Sequence, residues 1–208
     1  MNKQNIFKYQ FNFLDNEDNF FVNTTNSNAY DKLIKFDSRH SFLSGPSKSG
    51  KSFLGQIWLK KNNAIKLSNN FENILNQKKN LLIDNFLLFD QEQIFHLINH
   101  SFLNNSKILI ISNKNINDIN FKYEDLSSRL KTFEYFVINS PNDEMLLSIL
   151  TKLLMDKQFV INSKEIFDYI LKRVDRSYSG IHDIVHKLDI LSLEKKRQLT
   201  IPLIKEIL

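Results

Sequence analysis

Cysteine is absent from this 208-residue chain, which excludes disulfides and thiolate metal sites and agrees with a reducing compartment. No apolar run reaches the roughly 18 residues needed to span a bilayer, and the polar N-terminus lacks the hydrophobic segment of a secretory signal. A cytoplasmic location without membrane contact is the expectation. Glycine and proline are scarce, at four and three residues, so any place where they cluster is informative. Apolar residues make up 42% of the chain, enough for a core in one globular unit or in a core domain with a small satellite. The net charge of +5 comes from basic residues spread along the chain and reads as a generic basic surface, not a nucleic-acid stripe. Asn, Lys, Ile and Phe are abundant, a pattern of AT-rich coding, so the Asn-rich stretches 104–105 and 113–120 read first as loops.

Two of the four glycines and one of the three prolines fall in a single stretch, Gly45-Pro46-Ser47-Lys48-Ser49-Gly50-Lys51-Ser52. This is a complete G-x-x-x-x-G-K-[ST] phosphate-binding loop. Its glycines let the backbone wrap closely around phosphates, and the following helix aims free N–H groups and its positive dipole end at them. Lys51 is placed to reach the β- and γ-phosphates, and Ser52 to hold Mg²⁺. The flanks agree, with a strand over 41–44 before the loop and a one-faced apolar helix over 53–59 after it. A nucleoside triphosphate or diphosphate is the expected ligand, and the motif itself scarcely distinguishes ATP from GTP.

Residues 1–18 read as a polar tail with isolated aromatics, and a globular unit begins near Phe20. Further strands are expected over 64–67, 80–84, 107–112 and 133–138, with a helix over 91–102. Strands alternating with helices imply a parallel sheet covered on both faces, here spanning 19–140. From 141 to 208 the periodicity is helical, over 143–155, 163–174 and 181–193, and a small α-helical domain is expected.

The strand Leu81-Leu82-Ile83 ends in Asp84, the acid that phosphate-loop proteins use to hold Mg²⁺ directly or through water. Position 85, where many such ATPases carry the base that activates water, is Asn85, which cannot accept a proton. Slow or absent hydrolysis follows. Asn113 ends the next core strand, where it either contacts a γ-phosphate or starts a turn. Arg129, in Asp125-Leu126-Ser127-Ser128-Arg129-Leu130, is either a solvated residue or a guanidinium that reaches a neighbouring subunit's phosphates. His96/His100 and His182/His186 have helical spacing but lack the Glu of H-E-x-x-H and a third ligand, so zinc is not expected.

GPSKSGKS, LLIDN, ISN, DLSSRL and the closing Arg197-Gln198-Leu199-Thr200-Ile201-Pro202-Leu203-Ile204-Lys205-Glu206-Ile207-Leu208 together resemble the Hda branch of the DnaA-related AAA+ proteins. Members similarly end in (R/K)-x-L-T-I-P-x-x-K-E-I-L, and the resemblance runs from about Phe20 to Leu208. It implies an AAA+ P-loop core followed by a helical lid, without the helix-turn-helix DNA-binding domain of full initiators. It also implies regulatory inactivation: an ADP-bound protein, tethered to the DNA-loaded sliding clamp (the β subunit of DNA polymerase III), stimulates hydrolysis of ATP on DnaA. Contact with DNA would be indirect, through the clamp, and self-association is possible in such a family. By position, Asp84 takes the Walker B role, Asn113 the sensor I role and Arg129 the role of an arginine finger acting in trans.

Clamp tethering in the family uses an N-terminal Gln followed by spaced apolar residues, and Gln10-Phe11-Asn12-Phe13-Leu14 is the best match, with Gln10, Phe11, Phe13 and Leu14 as contacts. A second register begins at Gln4. The chain departs from the family where a sensor II arginine belongs: Ser179 stands there, and Arg176 lies three residues early. A helicase-loader-like ATPase acting on single-stranded DNA, or a nucleotide-binding remnant with another partner, is the competing expectation.

Overall fold

The computed structural model describes residues 20–36, 38–68, 71–161 and 163–208. Strands β1 (His40–Ser44), β2 (Ile65–Lys66), β3 (Leu81–Ile83), β4 (Ile108–Ser112) and β5 (Glu134–Val137) form one parallel sheet in the order β2-β3-β4-β1-β5. Helix α1 (Ser27–Tyr30), which runs on into a wider π-type turn over Asp31–Lys35, precedes β1. Helices α2 (Lys51–Lys61), α3 (Phe71–Leu75), α4 (Gln91–Leu103) and α5 (Glu124–Leu130) fill the crossovers. Parallel neighbours need such crossovers, and helices on both faces explain why β4 is buried at all five positions.

The two-residue period of the strands decides which helix each side chain meets. Phe42, Ile83, Ile108 and Ile110 pack with Ile94 and Leu97 of α4 and Leu126 and Leu130 of α5. Their alternates Leu43, Leu82, Leu109 and Ile111 pack with Leu54, Ile57 and Trp58 of α2 and with Ala29 and Leu33. Each such side chain is essentially removed from water, worth about 1.5–3 kcal/mol apiece before entropy is counted.

After the sheet come α6 (Asp143–Asp156), α7 (Glu165–Leu171), α8 (Tyr178–Lys195) and α9 (Ile201–Ile204). Leu146, Leu150 and Leu154, four residues apart on α6, bury a stripe against Ile166, Ile181, Val185 and Leu188. The Asn142 side chain caps α6 by accepting from the Met145 N–H at 2.9 Å, and Ser177 caps α8 through the Gly180 N–H at 3.0 Å. The closing LTIP segment has a structural reason. Leu199 and Ile204 enter the helical core, Thr200 caps α9, Pro202 sits in its first turn, and Glu206 pairs with Lys195 and Arg197.

Two expected elements are shorter than their apolar runs. The strand expected over 64–67 pairs only at Ile65 and Lys66, with the Leu67 N–H making one more bond to the Leu82 carbonyl, because β2 is an edge strand. The helix expected over 163–174 is regular only over Glu165–Leu171.

Candidate functional site

Strand β1 lies between β4 and β5, so the connections leaving it diverge at its carboxyl end. In open parallel sheets this switch point is where ligands bind. The phosphate loop starts there. Gly45 has φ +155°, and a Cβ on it would stand 2.7 Å from the Ile138 carbonyl oxygen, so the loop needs glycine for both its torsion and its closeness to the chain after β5. Lys48 has φ 61° at the turn, and Gly50, at φ 87°, begins α2. No side chain caps α2, and the residues of its first turn line an open cavity of about 730 Å³, a volume typical of small-molecule sites.

Lys51 is 5% exposed, and its ammonium donates to the carbonyls of Gly45 at 2.8 Å and Pro46 at 2.5 Å. Burial lowers its pKa to about 8, against a smaller opposing effect of Asp84. The Ser52 hydroxyl donates to Asp84 Oδ1 at 2.9 Å, while Lys66 Nζ sits 2.8 Å from Asp84 Oδ2. Hard oxygens on Ser52 and Asp84, side by side, are the donor chemistry that suits Mg²⁺. Asn85 follows in a left-handed conformation, φ 58°, and lines the same cavity, as does exposed Asn113 just beyond β4.

Besides Asn26 and Ser112, the rest of the wall is apolar or comes from the helical segment. Phe20 stacks on Tyr30 and Phe53 with centroids 5.8 and 5.9 Å apart, and Phe20, Phe53, Met145, Ile149 and Leu153 all line the cavity. Lys152 also lines it, with its ammonium 5.5 Å from the Phe53 centroid. Burial raises the pKa of Asp156, with Lys152 opposing, and burial lowers that of His182, with Lys48 adding to the effect and Asp183 opposing. Tyr178, 1% exposed, donates to the Asn139 carbonyl at 3.1 Å and so ties α8 to the end of the sheet. Lys48 Nζ reaches Asp183 Oδ1 of α8 at 2.7 Å.

Three comparisons bear on this arrangement. The family model described as "Hda, lid domain" matches residues 143–208. The chain is 30% identical to the chromosomal replication initiator protein DnaA of Buchnera aphidicola subsp. Cinara cedri, over 97% of this chain and 52% of that protein. Domain III of the Thermotoga maritima initiator DnaA superposes with a TM-score of 0.76, at 20% identity, covering 92% of this chain and 94% of that domain.

Residues 143–208 match an Hda-type lid, and the fold is that of a DnaA-related AAA+ protein.

The chain is also 32% identical to an uncharacterized protein of Haemophilus influenzae, over 55% of this chain and half of that one, so it spans about half the length of both sequence relatives. The DnaA of Aquifex aeolicus, solved with AMPPCP bound, aligns at a TM-score of 0.67 and 19% identity, a likeness of fold, over 85% of this chain and 65% of that one.

Within this AAA+ fold, the residues singled out from sequence separate into two places. Ser47 to Ser52, Asp84, Asn85 and Asn113 all border one cavity, and Gly45 and Pro46 hold the Lys51 ammonium beside it. Arg129 does not border it. It is exposed on α5 with its guanidinium 5.5 Å from the Phe102 centroid, and Phe102 in turn stacks on His40 at 4.1 Å. Neither Ser179 nor Arg176 lines the cavity: the Ser179 hydroxyl meets that of Ser177 at 3.1 Å, and Arg176 ion-pairs with Asp143. The candidate clamp contacts at 10–14, and the second register at Gln4, lie outside the described residues. Among the described residues no group of three or more His, Cys, Asp or Glu side chains is placed to share a metal ion. No described helix is long and apolar enough to cross a membrane.

Lys66, Asp183, Tyr178, Lys152 and Asn115, which accepts from the Ser44 hydroxyl at 2.7 Å, were not readable as site residues. An exposed lysine in a short edge strand or an acid in a helix carries no local signal. Only the tertiary pairing gives either one a role.

Proposed function

We propose that this protein holds an adenine nucleotide at the phosphate loop and works as a regulator of replication initiation that stimulates hydrolysis of ATP bound to DnaA. The observation that carries the nucleotide reading is the convergence of Lys51, Ser52 and Asp84 at the carboxyl end of β1, beside an apolar wall that suits a base. Lys51 and the loop N–H groups would neutralise and orient phosphate oxygens. Ser52 and Asp84 would hold Mg²⁺, whose chemistry when bound is to bridge phosphate oxygens and screen their charge. Asn113, which lines the same cavity, would hydrogen-bond a terminal phosphate.

Asn85 has no carboxylate with which to activate water, so nucleotide in this site acts as a ligand that sets conformation rather than as fuel. This favours the regulator over a helicase-loader-like ATPase. Arg129 would act as the arginine finger in trans, a reading supported by its exposure, its position away from its own cavity and its guanidinium 5.5 Å over the Phe102 ring. Gln10, Phe11, Phe13 and Leu14 would dock on the sliding clamp as an extended peptide and so bring Arg129 to DnaA on replicating DNA. The Hda-type lid and the DnaA-like relatives support this reading.

Thermal melts with ADP and ATP test the nucleotide site. At 100 times its dissociation constant a ligand adds about 2.7 kcal/mol of stability, and no shift with either nucleotide contradicts the reading. Retention on DNA-loaded clamp, lost with Gln10→Ala and Phe13→Ala together, tests the tether.

A further inference from the structure

We infer that Lys66 serves as a resident cation for the Asp84 corner of the site, so that this protein binds nucleoside diphosphate almost independently of Mg²⁺. The inference rests on the nucleotide reading above. In that reading Mg²⁺ neutralises Asp84 and the phosphates together. Here Asp84 already has both oxygens engaged, Oδ1 by the Ser52 hydroxyl at 2.9 Å and Oδ2 by Lys66 Nζ at 2.8 Å. The Asp84 side chain is 13% exposed and that of Lys66 44%, so water screens the pair from the lysine side while the carboxylate is largely shielded.

The position of Lys66 is built into the sheet. It pairs in register with Leu82, and the next residue, Leu67, is buried in the core and donates its N–H to the Leu82 carbonyl at 2.8 Å. Backbone pairing on both sides fixes the lysine beside the strand that ends at Asp84. Lys66 does not line the cavity, whereas Asp84 does, so Lys66 acts through Asp84 as a positioning and neutralising residue. An unneutralised carboxylate next to the phosphates would repel them, and Mg²⁺ would be needed to offset that repulsion. With Lys66 in place the offset is permanent, and Mg²⁺ must displace or share its carboxylate oxygen.

The test is ADP affinity by isothermal titration calorimetry in excess Mg²⁺ and in EDTA, for the wild-type chain, Lys66→Met and Lys66→Arg. The expected Mg²⁺ effect is within about threefold for wild type and Lys66→Arg, and about tenfold or more for Lys66→Met through weaker binding in EDTA. Melting curves confirm that the variants fold, and if Lys66→Met is unstable the wild-type ratio decides, a Mg²⁺ effect of about tenfold or more overturning the inference. A ratio that Lys66→Met leaves unchanged overturns the role of Lys66 alone. Absence of ADP binding in both conditions overturns the nucleotide reading, and this inference with it.

Discussion

The Lys48 ammonium at the turn of the phosphate loop lies 2.7 Å from the Asp183 carboxylate on α8, a contact between residues 135 positions apart that joins loop to lid. Both side chains are largely exposed, at 43% and 60%, so the pair adds little to stability. Its consequence is competition, because Lys48 lines the cavity while its ammonium is held by Asp183. Asp183→Asn is expected to tighten ADP binding by about two- to fivefold at low salt, with the difference shrinking as salt is raised. Calorimetric titration at two ionic strengths reads this directly, and weaker binding by the variant would mean that the contact organises the loop instead.

Lys51 supplies a pH dependence with a definite sign. Its pKa in the folded, ligand-free protein is about 8, below the ordinary 10.5, because the charged form is buried. Between those two values the unfolded chain binds more protons than the folded one, so this group makes stability rise with pH across that window. Phosphate favours the charged form and pulls the proton back. ADP binding is therefore expected to take up protons above about pH 8 and to weaken with a slope approaching tenfold per pH unit. Titrations in buffers of different ionisation enthalpy measure the uptake, and Lys51→Met should abolish it.

Gly45→Ala separates the architecture of the loop from its ligand. The substitution meets both a torsion that L-residues rarely adopt and a carbonyl oxygen 2.7 Å from the new Cβ. A loss of roughly 1–3 kcal/mol in urea denaturation is expected, and it should appear without nucleotide present. A variant as stable as wild type would show that the loop relaxes freely and that glycine is there only for phosphate.

Much of the fold was legible because parallel strands buried on both faces must be near-continuous apolar runs, and Leu81-Leu82-Ile83 and Ile108 to Ile111 are such runs. The phosphate loop was legible for another reason: backbone geometry dictates its residue types, and Gly45 and Gly50 carry the torsions that demand glycine. Asp84 followed from its place at a strand end. The short elements were less visible, since α3 and α9 owe their form to packing against larger neighbours rather than to a period of their own. Tyr178, Asp183 and Lys66 were not visible at all, because each matters through a partner brought near by topology. The sheet order, which puts β1 between β4 and β5, likewise depends on long-range pairing that no local pattern states.

Arg129 carries the central claim. It stands outside its own nucleotide cavity, with its guanidinium 5.5 Å from the Phe102 centroid, and in the proposed function it acts on a second protein's phosphates. The direct measurement is single-turnover hydrolysis of ATP pre-bound to DnaA, with clamp-loaded DNA and ADP present, comparing wild type with Arg129→Ala. Wild type is expected to accelerate the turnover, and the variant to lose most of that acceleration, a trans-acting arginine being worth roughly 10³ to 10⁵ in rate, while still binding ADP and clamp. Equal stimulation by the variant, or none by wild type, would contradict the account.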